Sequence, residues 1–204
     1  MPVLDRERDY ATKELPTWKA SPDHRREEVW DGVTVIMPEA DLLHNDLDGF
    51  IYRIFFALFA EDYRHRVYHR LNLSDREEGW TQNYRNPDMA LFLETNPAKD
   101  CGTHMCGGPD FALEVMSPGD RSREKLGFYA AIRTREVLLL DRNPWSLELF
   151  RFEGNEMRLA GQVVPDDGQI LASAVVPIGF ALIQSAPRPK VKIVHNETGQ
   201  EWVR

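Results

Sequence analysis

Two carboxylates, Asp88 and Glu114, belong to predicted strands whose side-chain alternation allows them to meet. They lie in the β-rich runs DMALFLE and DFALEVM, and alternate residues of a strand share a face. An antiparallel pairing with Asp88 opposite Glu114 also places Glu94 opposite Gly108, which leaves a glycine-rich connecting loop. Directly opposed side chains have Cβ atoms roughly 4.5–5.5 Å apart. This separation suits two carboxylates that share one cation.

A pair of buried carboxylates needs positive charge nearby, because both burial and a like charge raise a carboxyl pKa. A divalent cation supplies that charge. Mg²⁺ prefers oxygen ligands from carboxylates, backbone carbonyls and water, and Mn²⁺ accepts the same set. The alternative is a structural ion pair between Glu114 and a cation such as Arg85 or Lys125. The spacing alone leaves both interpretations open.

A lysine follows the second carboxylate on a predicted helix over Ser122–Ile132. Arg121, Lys125 and Tyr129 recur every four residues and form one polar stripe. Because the helix begins shortly after Glu114, this stripe is expected to fold back over the strand ends. A lysine there polarises an attacking water and offsets the charge that develops on a phosphate. An ordinary solvated helix lysine is the alternative.

The elements that must position these residues follow a mixed α/β pattern. The run EEVWDGVTVIMPE, centred on Asp31-Gly32, predicts a hairpin. Apolar residues at helical spacing from Leu47 to Phe59 predict an amphipathic helix. The run EVLLLDR predicts a strand buried on both faces. The runs SLELFRFE and EMRLAGQVV predict an antiparallel hairpin turned at Gly154-Asn155.

Length and composition predict one domain. The chain has 204 residues, of which 42% are hydrophobic, enough for a sizeable core. We expect an N-terminal segment over 1–24, the domain over 25–186, and a polar, loosely held C-terminal arm over 187–204. No run is apolar enough to span a bilayer, and the charged N-terminus lacks a secretory signal, so a cytoplasmic location is expected. Two cysteines are too few for a disulfide framework or a structural zinc site.

The charge balance limits how the chain could bind nucleic acid. The net charge of -8 argues against a general electrostatic grip, which depends on lysine and arginine displacing counterions from phosphates. A nucleic-acid partner therefore needs a local basic patch. Ordinary surface charges are the alternative interpretation of the candidate residues. These candidates are Arg25, Arg26, Arg121 and Arg123.

A series of motifs along residues 25–183 resembles the Uma-two family of restriction-endonuclease-like proteins. That family belongs to the PD-(D/E)XK nuclease superfamily. The order and spacing of the motifs carry the resemblance. The motifs are EVWDG at 28–32, His44, NPD at 86–88, PDFALEVMSP at 109–118, Lys125, Tyr129, EVLLLD at 136–141 and VVPIGF at 175–180.

The resemblance implies a restriction-endonuclease-like core, in which a mixed sheet is flanked by helices and carries the N-terminal hairpin. It implies that Asp88 and Glu114 are metal ligands. Met116 stands where the superfamily's basic motif has a lysine, and in this family the lysine comes from the following helix, which is Lys125 here. Val33 replaces a frequent second glutamate, and Arg133-Thr134-Arg135 replaces a turn that usually contains glycine.

Two further residues match family positions. Glu28 matches a glutamate near the site, and the alternative is a hairpin-edge carboxylate that faces water. His44 matches a histidine before the first long helix, where it either caps that helix or orients a water in the site. For both residues the sequence leaves the two interpretations open.

Together these observations predict an Mg²⁺-dependent phosphodiesterase, with Mn²⁺ able to substitute, that hydrolyses DNA more readily than RNA. Asp88, Glu114 and the carbonyl of Val115 hold the metal, Lys125 positions water, and Glu28 is a further ligand or base. The residues predicted to contact substrate are Arg121, Arg123, Tyr129 and His44.

The oligomeric state and two rival functions complete the prediction. A homodimer is expected, because cleavage of both strands of a duplex benefits from two sites related by symmetry. One rival is a nuclease-like fold that serves as a binding or assembly module without significant turnover, which the overall acidity favours. The other rival is a metal-dependent hydrolase of a small phosphoester.

Overall fold

The computed structural model describes residues 26–61 and 64–204. Its helices are α1 (Leu42–Phe55), which continues as a π-helix (Phe56–Ala60), and α2 (Leu126–Ala131), which follows a 3₁₀ turn (Ser122–Lys125); a second 3₁₀ turn is Trp80–Gln82. The strands are β1 (Glu27–Trp30), β2 (Val33–Ile36), β3 (Arg66–His69), β4 (Leu73–Ser74), β5 (Tyr84–Arg85), β6 (Met89–Phe92), β7 (Lys99–Asp100), β8 (Met105–Cys106), β9 (Phe111–Val115), β10 (Glu136–Arg142), β11 (Trp145–Glu153), β12 (Glu156–Val163), β13 (Leu171–Ala172), β14 (Ile178–Ile183), β15 (Lys190–His195) and β16 (Glu201–Val203).

A six-stranded mixed sheet forms the centre of the fold, in the order β12-β11-β10-β9-β6-β3. β9 and β10 run parallel, and every other neighbouring pair is antiparallel. The segment containing α2 connects β9 to β10, as a parallel pairing requires a crossover. The fold class is therefore mixed α/β with flanking helices, as predicted.

The two faces of this sheet bury different apolar clusters. Leu113 and Val115 of β9 belong to the cluster packed against α1 and the C-terminal strands. Ala112 and Met116 belong to the cluster packed against α2. Glu114 shares the parity of Ala112 and Met116, so its side chain enters the α2 face among apolar neighbours. This alternation is the one that the sequence predicts.

Helix α1 follows from its apolar stripe and its cap. The Asp41 side chain accepts a hydrogen bond from the His44 backbone N–H at 2.7 Å, which is the usual role of an N-cap aspartate. Leu47, Ile51 and Phe55 recur at helical spacing and are fully buried. The predicted helix is confirmed, although it begins five residues before Leu47. In the described ranges, no helix combines the length and apolar character needed to cross a membrane.

Both predicted hairpins are present. β1 and β2 pair around Asp31 and Gly32, whose φ angles of 48° and 84° belong to the left-handed region that a two-residue I′ turn requires. β11 and β12 pair around Gly154-Asn155. The first hairpin belongs to a second sheet, in the order β2-β1-β5-β4-β8-β7, which holds β1 beside β5.

The C-terminal residues differ from the prediction of a loosely held arm. β15 pairs with β14 and β16 along a four-stranded sheet, and Val191 and Ile193 are fully buried in the core cluster on the α1 side. The run KVKIVH alternates polar and apolar residues, which is a strand pattern. The prediction of a loosely held arm gave more weight to the two prolines and the polar composition than to this alternation. It is wrong for β15 and β16, which are paired strands.

The helical segment after β9 begins as a tight turn. The Asp120 side chain accepts a hydrogen bond from the Ser122 backbone N–H at 2.6 Å, which fixes the start of the predicted helix. The first turn, Ser122–Lys125, is 3₁₀, and α2 begins at Leu126. Lys125 therefore lies at the junction, and its side chain enters the core.

Candidate metal and nuclease site

The strand register brings Asp88 and Glu114 to the same end of the β6–β9 pair. Met89 lies opposite Leu113 and Ala90 opposite Ala112, and Asp88 and Glu114 each lie one residue beyond this paired stretch at the same end. The Asp88 backbone N–H donates to the Leu113 carbonyl at 3.0 Å. Both carboxylates are almost completely buried. The two carboxylates therefore lie at one end of the strand pair, while their direct opposition stays a prediction.

The Val115 backbone lies directly beside the Asp88 carboxylate. Its N–H donates to Asp88 Oδ2 at 2.8 Å. In a strand, the N–H and C=O of one residue point to the same side, so the Val115 carbonyl also faces this edge. That carbonyl is thus a suitable third oxygen beside the carboxylate, as the metal prediction requires.

Glu114 is surrounded by donors from the helical segment. Lys125 Nζ lies 2.9 Å from Glu114 Oε1 and 3.0 Å from Oε2. The Tyr129 hydroxyl donates to Oε1, and the Ser122 hydroxyl donates to Oε2 at 3.4 Å. The ion pair between Glu114 and Lys125 is the alternative that the sequence left open. Lys125 is 1% exposed, so the solvated helix lysine is excluded.

Glu28 reaches the same lysine from the N-terminal hairpin. Its Oε1 lies 2.8 Å from Lys125 Nζ and accepts a hydrogen bond from the Asn86 backbone N–H at 3.0 Å. Its Oε2 accepts from Trp30 Nε1 at 2.8 Å. Glu28 is fully buried, so the alternative of a hairpin-edge carboxylate facing water is wrong. Lys125 therefore bridges two buried carboxylates, one from the N-terminal hairpin and one from the central strand β9.

Asp88 is compensated by two other groups. Arg26 NH1 donates to Asp88 Oδ1 at 2.9 Å, and His44 Nε2 lies 3.1 Å from the same oxygen. His44 Nδ1 lies 3.3 Å from Ser117 Oγ. The His44 ring is buried and directed toward the site, while Asp41 caps α1, so the helix-capping role considered for the His44 side chain is excluded.

A residue that the sequence analysis missed, Asp48, lies on the other side of Asp88. His44, Asp48 and Asp88 each offer a metal-ligating atom, and these atoms lie within 4.8 Å of one another. Asp48 Oδ2 contacts His69 Nε2 at 2.6 Å, whereas Asp48 Oδ1 is buried and has no hydrogen-bond partner among the described residues. The signal was available, because Asp48 is four residues after His44 and lies between the buried Leu47 and Ile51 of α1.

The pKa values in the site differ because the neighbours differ. Burial raises the pKa of Glu114 to about 7, aided by Asp88 and Glu28 and opposed by Lys125. Burial also raises the pKa of Asp48, with a further contribution from Asp88, and His69 opposes this shift. For Asp88, the effect of burial is outweighed by His44, Arg26 and the Val115 N–H, so its pKa lies below its ordinary value.

Three residues predicted to contact substrate have other partners. Tyr129 is fully buried against Glu114, a position that fits support of the carboxylate and not contact with a polymer. Arg123 forms ion pairs with Asp141 and Glu148. Arg121 is exposed, pairs with Glu124 and lies 4.6 Å over the Trp30 ring.

The predicted basic patch is therefore only partly assembled. Arg26 contacts Asp88. Arg121 lies at the rim of the site, over the ring of Trp30, which donates to Glu28. Arg123 is already paired with Asp141 and Glu148. Arg25 lies outside the described residues.

Comparison with known proteins gives the family. The family model Uma2, described as "Putative restriction endonuclease", matches residues 12–185. The chain belongs to the Uma2 family. A solved structure with a similar fold is the crystal structure of a "putative nuclease belonging to DUF820" from Anabaena variabilis ATCC 29413. The two chains are 16% identical with a TM-score of 0.53, over 71% of this chain and 79% of that chain. Among the curated proteins none matches.

The family match confirms the resemblance seen in the motifs, and at a coarse level it supports a nuclease. Of the positions where the motif resemblance implies a different residue, Val33 is exposed on β2 and Arg133 adopts a left-handed φ of 62°. Neither departure contacts Asp88, Glu114 or Lys125.

Proposed function

We propose that this Uma2 protein is a divalent-metal-dependent nuclease that hydrolyses phosphodiester bonds, with DNA preferred over RNA. The observation that carries the proposal is the pair of buried carboxylates, Asp88 and Glu114, at one end of the β6–β9 pair, with Lys125 Nζ within 3.0 Å of both Glu114 oxygens. Burying two carboxylates and a lysine at one end of a strand pair costs desolvation free energy, which is unusual for a purely structural site. The family assignment supports the same activity.

The donor set fits a hard divalent cation such as Mg²⁺, for which Mn²⁺ can substitute. Asp88, Glu114 and the Val115 carbonyl would supply oxygen atoms at one end of the β6–β9 pair. When bound, the metal acts as a Lewis acid and lowers the pKa of its water. Arg26 is the most exposed of the side chains that contact Asp88, with 20% of its side chain accessible. Its displacement is the simplest route for a cation to reach Oδ1.

The remaining residues have distinct proposed roles. Lys125 holds a positive charge beside the reacting phosphate and orients the attacking water. Glu28 acts as a positioning residue, because its contacts with Lys125, Trp30 and Asn86 leave it little freedom to act as a base. Tyr129 fixes the orientation of Glu114, and His44 fixes that of Asp88. Arg121 at the rim is the candidate phosphate contact.

The proposal includes a homodimer in the cytoplasm, in which two copies present their sites to opposite strands of a duplex. The dimer can be checked by light scattering coupled to size-exclusion chromatography. A molar mass of one chain across the concentration range would contradict it.

A nuclease-like binding module is the second candidate, because one observation favours it. Both oxygens of Glu114 already accept hydrogen bonds from protein donors, so the site is partly compensated without a metal. The net charge of -8 also argues against tight binding of DNA at most of the surface.

Cleavage assays separate the candidates. Supercoiled plasmid DNA, single-stranded RNA and a chromogenic phosphodiester are incubated with the protein in Mg²⁺, in Mn²⁺ and in a chelator. We expect plasmid nicking that requires metal, slower RNA cleavage, and a loss of at least about 100-fold in Glu114→Gln and Asp88→Asn. The matched control is Glu94→Gln, which removes an exposed carboxylate just beyond the opposite end of β6.

Two results would contradict the nuclease. One is the absence of metal-dependent cleavage by a folded wild-type protein. The other is equal cleavage by wild type and Glu114→Gln, which would point to a contaminating enzyme. Cleavage of the small diester alone would instead favour the hydrolase of small phosphoesters.

A further inference from the structure

We propose that His44, Asp48 and Asp88 form a second divalent-cation position on the α1 side of Asp88, and that this position prefers Mn²⁺ over Mg²⁺. The inference extends the metal dependence of the proposed function, but it concerns cation binding and does not require hydrolysis. It adds Asp48, a residue that no motif of the family resemblance includes, to the ligands of the site.

The three ligating groups converge from two elements. His44 and Asp48 are separated by one helical turn of α1 and therefore share a face, and Asp88 precedes β6. Their ligand atoms lie within 4.8 Å of one another. An ion with ligands at about 2.0–2.2 Å holds opposite ligands at most about 4.4 Å apart. Small side-chain rotations are therefore enough to close the three groups on one cation.

The Asp48 carboxylate is the independent sign that a ligand belongs here. Its side chain is 1% exposed, and Oδ1 has no partner in the described part of the chain. Leaving a buried carboxylate oxygen unpaired is costly, because water no longer solvates it. His69 satisfies only Oδ2, and Arg70 NH2 stands 3.8 Å from that same oxygen. The described residues therefore provide partners for Oδ2 and leave Oδ1 available to a ligand.

His44 can serve as a metal ligand because its second nitrogen has a flexible partner. Ser117 Oγ lies 3.3 Å from His44 Nδ1 and accepts a hydrogen bond from Arg142 NH2 at 3.3 Å. A hydroxyl can donate to Nδ1 or accept from it. When Nδ1 carries the proton and donates to Ser117, the Nε2 lone pair faces Asp88 and is available to a cation. Ligating histidines are usually oriented by such a second hydrogen bond.

The mixture of ligands determines which cation is preferred. An imidazole nitrogen suits transition metals better than Mg²⁺, while carboxylates suit Mg²⁺, Ca²⁺ and Mn²⁺. Mn²⁺ is a transition metal that also accepts carboxylate oxygens, so one nitrogen and two carboxylates suit it better than they suit Mg²⁺. The edge formed by Asp88, Glu114 and the Val115 carbonyl offers only oxygen, so the two positions should differ in selectivity.

The test measures Mn²⁺ binding to the full chain without any nucleic acid. The electron paramagnetic resonance signal of free aqueous Mn²⁺ reports the unbound fraction during titration, and Mg²⁺ is added as a competitor. The variants are Asp48→Asn, Glu114→Gln and the matched control Asp46→Asn. Asp46 lies on the same helix and pairs with Arg204 at the surface, so its replacement repeats the chemical change away from the cluster.

We expect Asp48→Asn to weaken Mn²⁺ binding at least about tenfold, while Asp46→Asn and Glu114→Gln keep one tight Mn²⁺ ion. Mg²⁺ should compete poorly for that ion. Thermal melting checks that Asp48→Asn is folded. Equal Mn²⁺ affinity in wild type and folded Asp48→Asn overturns the inference, as does the absence of Mn²⁺ binding in wild type. A loss of the tight ion in Glu114→Gln alone also overturns it.

The outcome is independent of the nuclease assay. Loss of tight Mn²⁺ binding in Asp48→Asn by a protein that cleaves nothing supports the second position and contradicts the proposed activity. Metal-dependent cleavage with unchanged Mn²⁺ binding in Asp48→Asn supports the activity and contradicts the second position.

Discussion

Two other buried acids, Glu114 and Asp48, lie on either side of Asp88. Their carboxylates are stabilised in different ways. On the α2 side, Glu114 accepts hydrogen bonds from Lys125, Tyr129 and Ser122. On the α1 side, Asp48 contacts His69 through one oxygen, and the other oxygen has no partner among the described residues. The α2 side thus satisfies both oxygens of its carboxylate, whereas the α1 side leaves one oxygen of Asp48 without a partner in the described part of the chain. An external cation should therefore stabilise the protein most on the α1 side, next to Asp48.

The largest expected effect comes from removing the internal cation. Lys125→Met leaves Glu114 and Glu28 buried without their shared positive charge, and breaking such a pair typically costs about 3–5 kcal/mol. Urea denaturation measures the loss of stability as a lower midpoint concentration of urea, at an unchanged slope of unfolding free energy against urea. The control is Lys99→Met, which removes an exposed ion pair with Glu77 and should cost less than about 1 kcal/mol.

A double variant makes this prediction sharper. Adding Glu114→Gln to Lys125→Met removes one of the stranded charges and should recover part of the lost stability. A Lys125→Met protein as stable as wild type would mean that the α2 side does not depend on its internal cation, and the contrast between the two sides would fail.

The next effect concerns Arg26, which is the protein's own cation at Asp88. Arg26→Gln should lower the free energy of unfolding by about 2 kcal/mol without metal, because Asp88 loses a charge-assisted hydrogen bond. Saturating Mn²⁺ should narrow this difference, since a bound cation stabilises the native state by mass action. Thermal melts with and without Mn²⁺ measure both quantities. The control is Arg53→Gln, on the exposed face of α1. A stability difference between wild type and Arg26→Gln that Mn²⁺ leaves unchanged would argue against competition between Arg26 and the metal for Asp88.

A smaller effect is expected from Asp48 itself, and it depends on pH. Burial and Asp88 raise the pKa of Asp48 above its unfolded value, so the ionised carboxylate destabilises the metal-free native state as pH rises. Asp48→Asn should therefore be more stable than wild type at neutral pH, by about 1 kcal/mol. The advantage should fade as pH falls from the raised native pKa of Asp48 towards about 4, because the native carboxyl is protonated first and the unfolded carboxyl follows near that pH. A difference that stays constant from pH 4 to pH 8 would contradict this account.

The strand-based part of the site could be predicted from sequence because it depends on local periodicity. Parity along two short strands was enough to place Asp88 and Glu114 at the same end of one strand pair. A hairpin signal at Asp31-Gly32 was enough to place Glu28 on a paired strand. These inferences need only the alternation of side chains and one register, which the hydrophobic pattern fixes.

The rest of the site depends on long-range packing, which no local pattern contains. Arg26 reaches Asp88 across 62 positions of sequence, and the burial of Lys125 depends on how tightly the 3₁₀ turn closes over β9. Asp48 could have been noticed as a polar residue within the buried stripe of α1. Its significance appears only when His44 and Asp88 are placed beside it. The C-terminal strands were missed because charge and proline content outweighed a clear alternation in 190–195.

The smallest effect tests whether the α2 side can be changed without affecting the α1 side. Arg133 follows α2 with a φ of 62°, and its N–H donates to the Ala130 carbonyl at 3.0 Å, as in a helix end that usually carries glycine. Arg133→Gly should raise the free energy of unfolding by about 0.5–1 kcal/mol, because glycine adopts this conformation without steric cost. Arg133→Ala is the matched control: it removes the same exposed side chain but keeps the strained backbone, so it should give no gain. Mn²⁺ affinity should be equal in all three proteins, since the turn is joined to Tyr129 by the Thr134 N–H, which donates to the Tyr129 carbonyl at 2.9 Å, and lies on the α2 side, away from His44 and Asp48. A change in Mn²⁺ affinity in Arg133→Gly would mean that the two sides are coupled through the central sheet, and the separation between an internally compensated half and a cation-dependent half would no longer hold.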